Sequence, residues 1–86
     1  MRYSLKIKES ARRELGRILK PDRERIIRAI DALPDNPFRG TALKGELTGL
    51  RRLRVGSYRI IYEVQNDVLV ILVVRVAHRS KAYRQR

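Results

Sequence analysis

Tyr3, Leu5 and Ile7 alternate with Ser4, Lys6 and Lys8, the period of a strand with one buried face. The period then lengthens. Ala11, Leu15, Ile18 and Leu19 fall at i, i+4, i+7 and i+8, which predicts an amphipathic helix over Ser10 to Lys20 with its arginines outward. Pro21 and Asp22 suit a second helix start, Ile26, Ile27, Ile30 and Leu33 give its apolar stripe, and Pro34 ends it. Two short helices in an antiparallel hairpin are expected. Pro34-Asp35-Asn36-Pro37 and Gly40 mark a loop, and Leu43 to Gly49 is too punctuated by glycine to assign.

From Leu50 onward the chain reads as a meander: strand 50–55, strand 58–65, a turn at Asn66-Asp67 and strand 68–77. The run from Val68 to Val74 lacks alternation, which predicts burial on both faces and a central strand. No repeat or linker divides the chain. The expectation is a single α+β domain over residues 1–86: an N-terminal strand, a two-helix hairpin and a three-stranded antiparallel meander.

The meander carries the chemistry. A two-residue loop at Gly56-Ser57 sets Val55 against Tyr58, Arg54 against Arg59, Leu53 against Ile60 and Arg52 against Ile61. Opposed residues share a face, as do residues i and i+2, so Arg52, Arg54 and Arg59 project together. Like charges opposed in a sheet destabilise it, so the pairing of Arg54 with Arg59 asks for water around it or an anion upon it. The meander also returns the end of its last strand to this place, bringing His78 and Arg79 beside Arg54 and Arg59. A basic tail, Ser80-Lys81-Ala82-Tyr83-Arg84, follows them.

Composition sharpens the choice of partner. A chain of 86 residues with 21 Lys plus Arg against 9 Asp plus Glu carries a formal charge of +12, which favours polyanions, nucleic acid first. Sixteen of the basic residues are arginines, whose planar fork suits phosphate oxygens. There is no cysteine for disulfides or thiolate metal sites, and one histidine with scattered carboxylates lacks metal-ligand spacing. No metal or other cofactor is expected. The N-terminus lacks a signal-like apolar stretch and the longest apolar run is far short of a membrane span, so a cytoplasmic protein without a membrane partner is expected.

Read nearly end to end, the chain resembles the RelE family of toxin-antitoxin ribonucleases, within the RelE/ParE superfamily. The resemblance rests on Asn36-Pro37, Leu43-Lys44-Gly45, the block from Leu50 to Tyr62 with its Arg-Leu-Arg-Val-Gly-Ser-Tyr-Arg core, His78-Arg79, and Tyr83 beyond. It implies a fold related to small microbial ribonucleases and cleavage of mRNA in the ribosomal A site. Neutralisation by a cognate RelB-like antitoxin is implied as well, with operator DNA bound only through the toxin-antitoxin complex. By the same resemblance the family's basic pair falls on Arg52 and Arg54, its phosphate-binding arginine on Arg59, its late arginine on Arg79 and its C-terminal tyrosine on Tyr83. Arg51, Lys44, Lys81 and Arg84 complete the expected RNA-binding set.

The implied reaction is attack of an RNA 2′-hydroxyl on the adjacent phosphate with expulsion of the 5′-oxygen. Charge develops on phosphoryl oxygens, which preorganised arginine donors stabilise. Arginine, which stays protonated well above the range where lysine loses its proton, is a poorer proton acceptor than lysine, so Arg52 and Arg54 are assigned electrostatic roles. His78 is the natural proton-transfer candidate. Glu63 shares the face of Arg59, but arginines lower a neighbouring carboxylate's basicity, so it reads as an ion-pair partner. Tyr3, Tyr58 and Tyr62 read as core. A gyrase-poisoning ParE-like toxin, a non-catalytic basic RNA-binding module and a degenerate toxin that only binds its antitoxin are the alternatives.

Overall fold

The computed structural model describes residues 3–79. In chain order these form β1 (Ser4–Ile7), α1 (Glu9–Gly16), α2 (Lys20–Ala32), a 3-10 turn (Leu33–Asp35), β2 (Thr41–Ala42), a second 3-10 turn (Gly45–Leu47), β3 (Leu50–Val55), β4 (Tyr58–Gln65) and β5 (Val70–His78). The strands make one sheet in the order β1-β5-β4-β3-β2. β1 runs parallel to β5 and every other pair is antiparallel. The three meander strands pair as expected, but the central strand is β4 and not β5, and β5 is buried on one face only: Ile71, Val73 and Val76 are buried while Leu72 and Val74 on its other face are half-buried, because no layer covers the sheet there. β2 is an addition that no pattern announces, since it is two residues long and both are exposed.

Boundaries shift where local chemistry overrides periodicity. The first helix stops at Gly16, a poor helix former, and the amides of Arg17 and Ile18 bond the carbonyls of Glu14 and Leu15 in a tightened last turn. Ile18 still turns inward, but Leu19 becomes the N-cap of α2 and is 79% exposed. The last strand starts at Val70 because Asn66 to Leu69 form a four-residue turn. Leu69 sits at φ 56° and its carbonyl accepts the Ser4 amide at 2.8 Å, which ties the turn to β1.

All the core lies on one face. α1 packs on β5 and α2 reaches β3. Ala11, Leu15, Ile18, Ile26, Ile30 and Leu33 meet Leu53, Ile60, Tyr62, Ile71, Val73 and Val76 there. Beyond the end of β1 the edge of β5 would leave an amide bare, and Glu14 of α1 covers it: the Val76 N–H donates to Glu14 Oε1 at 2.9 Å.

One loop is fastened to this core from below. The buried Tyr62 hydroxyl donates to the Pro37 carbonyl and accepts the Gly40 amide, each at 2.9 Å. A side chain at Gly40 would meet the Arg52 carbonyl at 2.6 Å and the Tyr62 hydroxyl at 2.8 Å, so only glycine lets the loop approach this closely.

Candidate functional site

The turn at Gly56-Ser57, with Gly56 at φ 60°, fixes the register of β3 on β4. Val55 pairs with Tyr58, Arg54 with Arg59, Leu53 with Ile60 and Arg52 with Ile61. The four residue pairs next to the turn thus alternate strictly between faces. Arg52, Arg54 and Arg59 stand on the face away from the helices, opposite Leu53 and Ile60 in the core.

β5 completes the rows. Ala77 lies beside Arg59, and Arg75 lies beside Ile61. Two cross-strand rows result, Arg52–Ile61–Arg75 and Arg54–Arg59–Ala77, with four arginines around one isoleucine. Ile61 is 3% exposed yet lies outside the core cluster, between the arginines of the two rows.

Arg75 has no place in the sequence-based set because its face depends on an irregularity. A two-residue turn at Asn66-Asp67 would set it against Tyr58, on the helix face. The longer turn only moves its partner along β4 from Tyr58 to Ile60, still on the helix face; a bulge between Ile61 and Tyr62 that leaves Val74 without a counterpart turns it to the arginine face. No signal in the chain marks that bulge.

Arg59 is the centre of the cluster in a second sense. Its Nε is buried and has no hydrogen-bond acceptor among the described residues. A buried donor left unpaired costs about 1–3 kcal/mol, and nearly all such groups in folded proteins are satisfied. An anion seated on this face would satisfy it. The adjacent Glu63 does not do so: its Oε1 accepts from Gln65 Nε2 at 2.8 Å.

The remaining expected residues separate. Arg79 follows the end of β5, and its amide extends the ladder to the Ser57 carbonyl at 2.8 Å, beside the Arg54–Arg59 row. His78 pairs with Tyr58 instead and meets its ring edge-on at 5.6 Å, so it is on the helix-side face at the same end of the sheet. Lys44 is exposed beyond the far end of β3, away from the Gly56 turn. Tyr83, Lys81 and Arg84 lie outside the described residues.

Arg51, expected to bind RNA, is given other work. It pairs with Tyr62 on the helix-side face. Its Nε and a terminal nitrogen donate to the Gly40 carbonyl at 3.1 and 2.6 Å, the latter nitrogen also to the Phe38 carbonyl at 3.2 Å, and its guanidinium lies 5.2 Å from the Phe38 ring centre. Its fork is committed to the 38–40 loop, which a one-residue change of face explains.

This arrangement has relatives. A model of the family described as ParE toxin of type II toxin-antitoxin system, parDE, matches residues 5–83. The chain belongs to this toxin family. Toxin RelG of Mycobacterium tuberculosis (strain ATCC 25618 / H37Rv) is 30% identical to our toxin over 87 residues, covering 99% of its chain and 100% of RelG. Among solved structures, the toxin-antitoxin complex RelBE2 from M. tuberculosis superposes with a TM-score of 0.74 at 32% identity over 92% of this toxin and 100% of that chain. The archaeal RelE-RelB complex from Pyrococcus horikoshii OT3 gives 0.77 at 28% identity, over 95% and 100%. The toxin is therefore a type II toxin-antitoxin toxin of RelE/ParE type, with the RelE fold.

Proposed function

We propose that the toxin is a ribosome-dependent endoribonuclease that cleaves mRNA in the ribosomal A site. The observation that carries this reading is Arg59: opposed to Arg54, flanked by Arg52, and with a buried Nε that lacks an acceptor among the described residues. A site already holding converging donors stabilises charge that appears on a phosphoryl group in the transition state without reorganising to do so.

In this reading a 2′-hydroxyl attacks its own 3′-phosphate. The 2′-oxygen bonds to phosphorus, the bond to the 5′-oxygen breaks, and a 2′,3′-cyclic phosphate or the 3′-phosphate derived from it remains. Arg59 holds the phosphoryl oxygens. Arg52 and Arg54 hold the attacking oxygen, and Arg79 neutralises the departing one. Tyr83 stacks on or bonds to the nucleoside, as aromatic side chains do with splayed RNA bases. His78, exposed at this end of the sheet, is the side chain suited to proton transfer. The partners in this reading are the ribosome with its mRNA and a RelB-like antitoxin, such as the one that accompanies RelE in the P. horikoshii complex. Operator DNA is met only through the toxin-antitoxin complex, and the cytoplasm, where translation runs, is the place of action.

The family description favours a second reading, poisoning of DNA gyrase, since the matching family is named for ParE. Primer extension on mRNA with and without translating ribosomes, run beside a gyrase cleavage assay on the same preparation, separates the two. Cleavage confined to translated message is the expected result. Gyrase-linked DNA breaks with intact message would overturn it.

A further inference from the structure

Resting on the ribonuclease reading, we propose that Glu63, held by Gln65, is a specificity-determining residue that reads a guanine base next to the phosphate on Arg59. The face away from the helices changes character along β4. Toward the Gly56 turn stand Arg52, Arg54 and Arg59; past Ile61 the next row is Leu50–Glu63–Leu72, all three half-buried. A strand rises about 3.3–3.4 Å per residue, so Arg59 and Glu63 start roughly 13 Å apart at the backbone, a gap that one nucleotide between two long side chains can span. A carboxylate repels phosphate, so this half of the face suits the uncharged part of that nucleotide. The leucines on either side of Glu63 give a flat ring an apolar surface to lie on.

The polar chemistry narrows the base. Gln65 Nε2 donates to Glu63 Oε1 at 2.8 Å. That bond orients the carboxylate while using one of its roughly four acceptor sites, so both oxygens can still accept. Gln65 is thus a positioning residue. An ionised carboxylate accepts and never donates. Among the RNA bases only guanine places two adjacent N–H donors on its Watson–Crick edge, at N1 and the 2-amino group, which match the two carboxylate oxygens as a bidentate pair. Adenine, cytosine and uracil set a donor beside an acceptor there, and a carboxylate would leave that acceptor facing an oxygen.

The alternatives are that Glu63 only balances the arginines or takes a proton in the reaction. Either role acts alike at every codon, so the ratio of cleavage rates between codons distinguishes them from base reading. Ribosomes stalled with an empty A site are programmed with messages whose A-site codon carries, at one position at a time, guanine, adenine or inosine, which is guanine without its 2-amino group. Cleavage by the whole toxin is followed by primer extension. At one codon position the wild type should cut guanine about 10–100-fold faster than adenine, as a bidentate contact to a base discriminates elsewhere, with inosine falling most of the way to adenine. Glu63→Gln puts a donor where guanine needs an acceptor, and should bring the guanine-to-adenine ratio to about one or below. Gln65→Ala should lower the ratio a few-fold. Wild-type cleavage without guanine preference, a preference that Glu63→Gln retains, or loss of cleavage in Glu63→Gln at all codons alike overturns the role of Glu63 and leaves the ribonuclease reading standing. A wild type that cuts no codon on the ribosome overturns that reading, and the role of Glu63 with it.

Discussion

The two faces of the sheet are made by the same strands and do opposite things. Toward the helices, Leu53, Ile60, Tyr62 and Val73 are closed into a core; away from them, their neighbours in sequence, Arg52, Arg59 and Ile61, make a basic surface with one buried isoleucine. The arginine face is unfavourable to fold. An opposed pair of like charges costs about 0.2–1 kcal/mol and an unpaired buried Nε about 1–3. Each large apolar side chain buried on the other face contributes about 1.5–3 kcal/mol, so one or two of them offset the whole burden. Strand alternation lets stability and chemistry share residues 52–61 without sharing a face.

The largest expected effect comes from breaking the closed face. Ile60→Ala removes a fully buried side chain from the core and should cost about 2–5 kcal/mol in urea unfolding. Ile61→Ala, almost as buried, should cost less, because flexible arginine stems can settle into the space where packed helices cannot. Equal losses would show that the arginine face is packed as rigidly as the core and would end the distinction.

Breaking the open face should cost function instead. Arg59→Ala is expected to lower cleavage of translated mRNA by about 10²–10³-fold, or 2.7–4 kcal/mol of barrier, as loss of one transition-state donor does elsewhere. Stability should hold or rise, since the variant removes both a like-charge opposition and an orphaned donor. A folded variant with wild-type cleavage would take Arg59 out of the mechanism.

Tyr62 joins the core to the loop that Arg51 grips, and Tyr62→Phe tests that join alone. The ring stays, but the Gly40 amide and Pro37 carbonyl each lose a partner. Leaving a buried amide unpaired should cost about 1–3 kcal/mol in the same unfolding assay. A neutral result would mean that the loop finds other partners.

What could be read from the chain was whatever depended on a short, local rule. The Gly56-Ser57 loop fixes four residue pairs by counting outward, and all four stand where counting puts them. The arginine trio followed directly. Arg75 could not follow, because its face depends on a bulge that no residue announces, and its partner along β4 on a turn that takes in Val68 and Leu69, both apolar enough to pass for strand. Arg51 shows the same limit from the other side. Its charge suggested an anion, whereas its bonds go to carbonyls of a loop whose approach is set by Tyr62 and Gly40, contacts made across 11 and 22 residues of chain. Ile18 and Leu19 fit a helical stripe that Gly16 had already ended, so periodicity alone placed the boundary too late.

The smallest effect is the finest test of the comparison. If the basic face is held against its own repulsion by the core behind it, relieving the opposition of Arg54 and Arg59 should stabilise the toxin while weakening its site. Arg54→Gln keeps the stem's length and polarity but removes one of the two charges, so the expected gain is about 0.2–1 kcal/mol. The gain should shrink as salt is added, because screening already relieves exposed charges in the wild type. Thermal melts of both proteins across an ionic-strength series would show the two curves converging. A gain that is constant with salt would trace to packing or to the unfolded chain, and a loss of stability would mean that Arg54 is paired on this face more tightly than its exposed position implies.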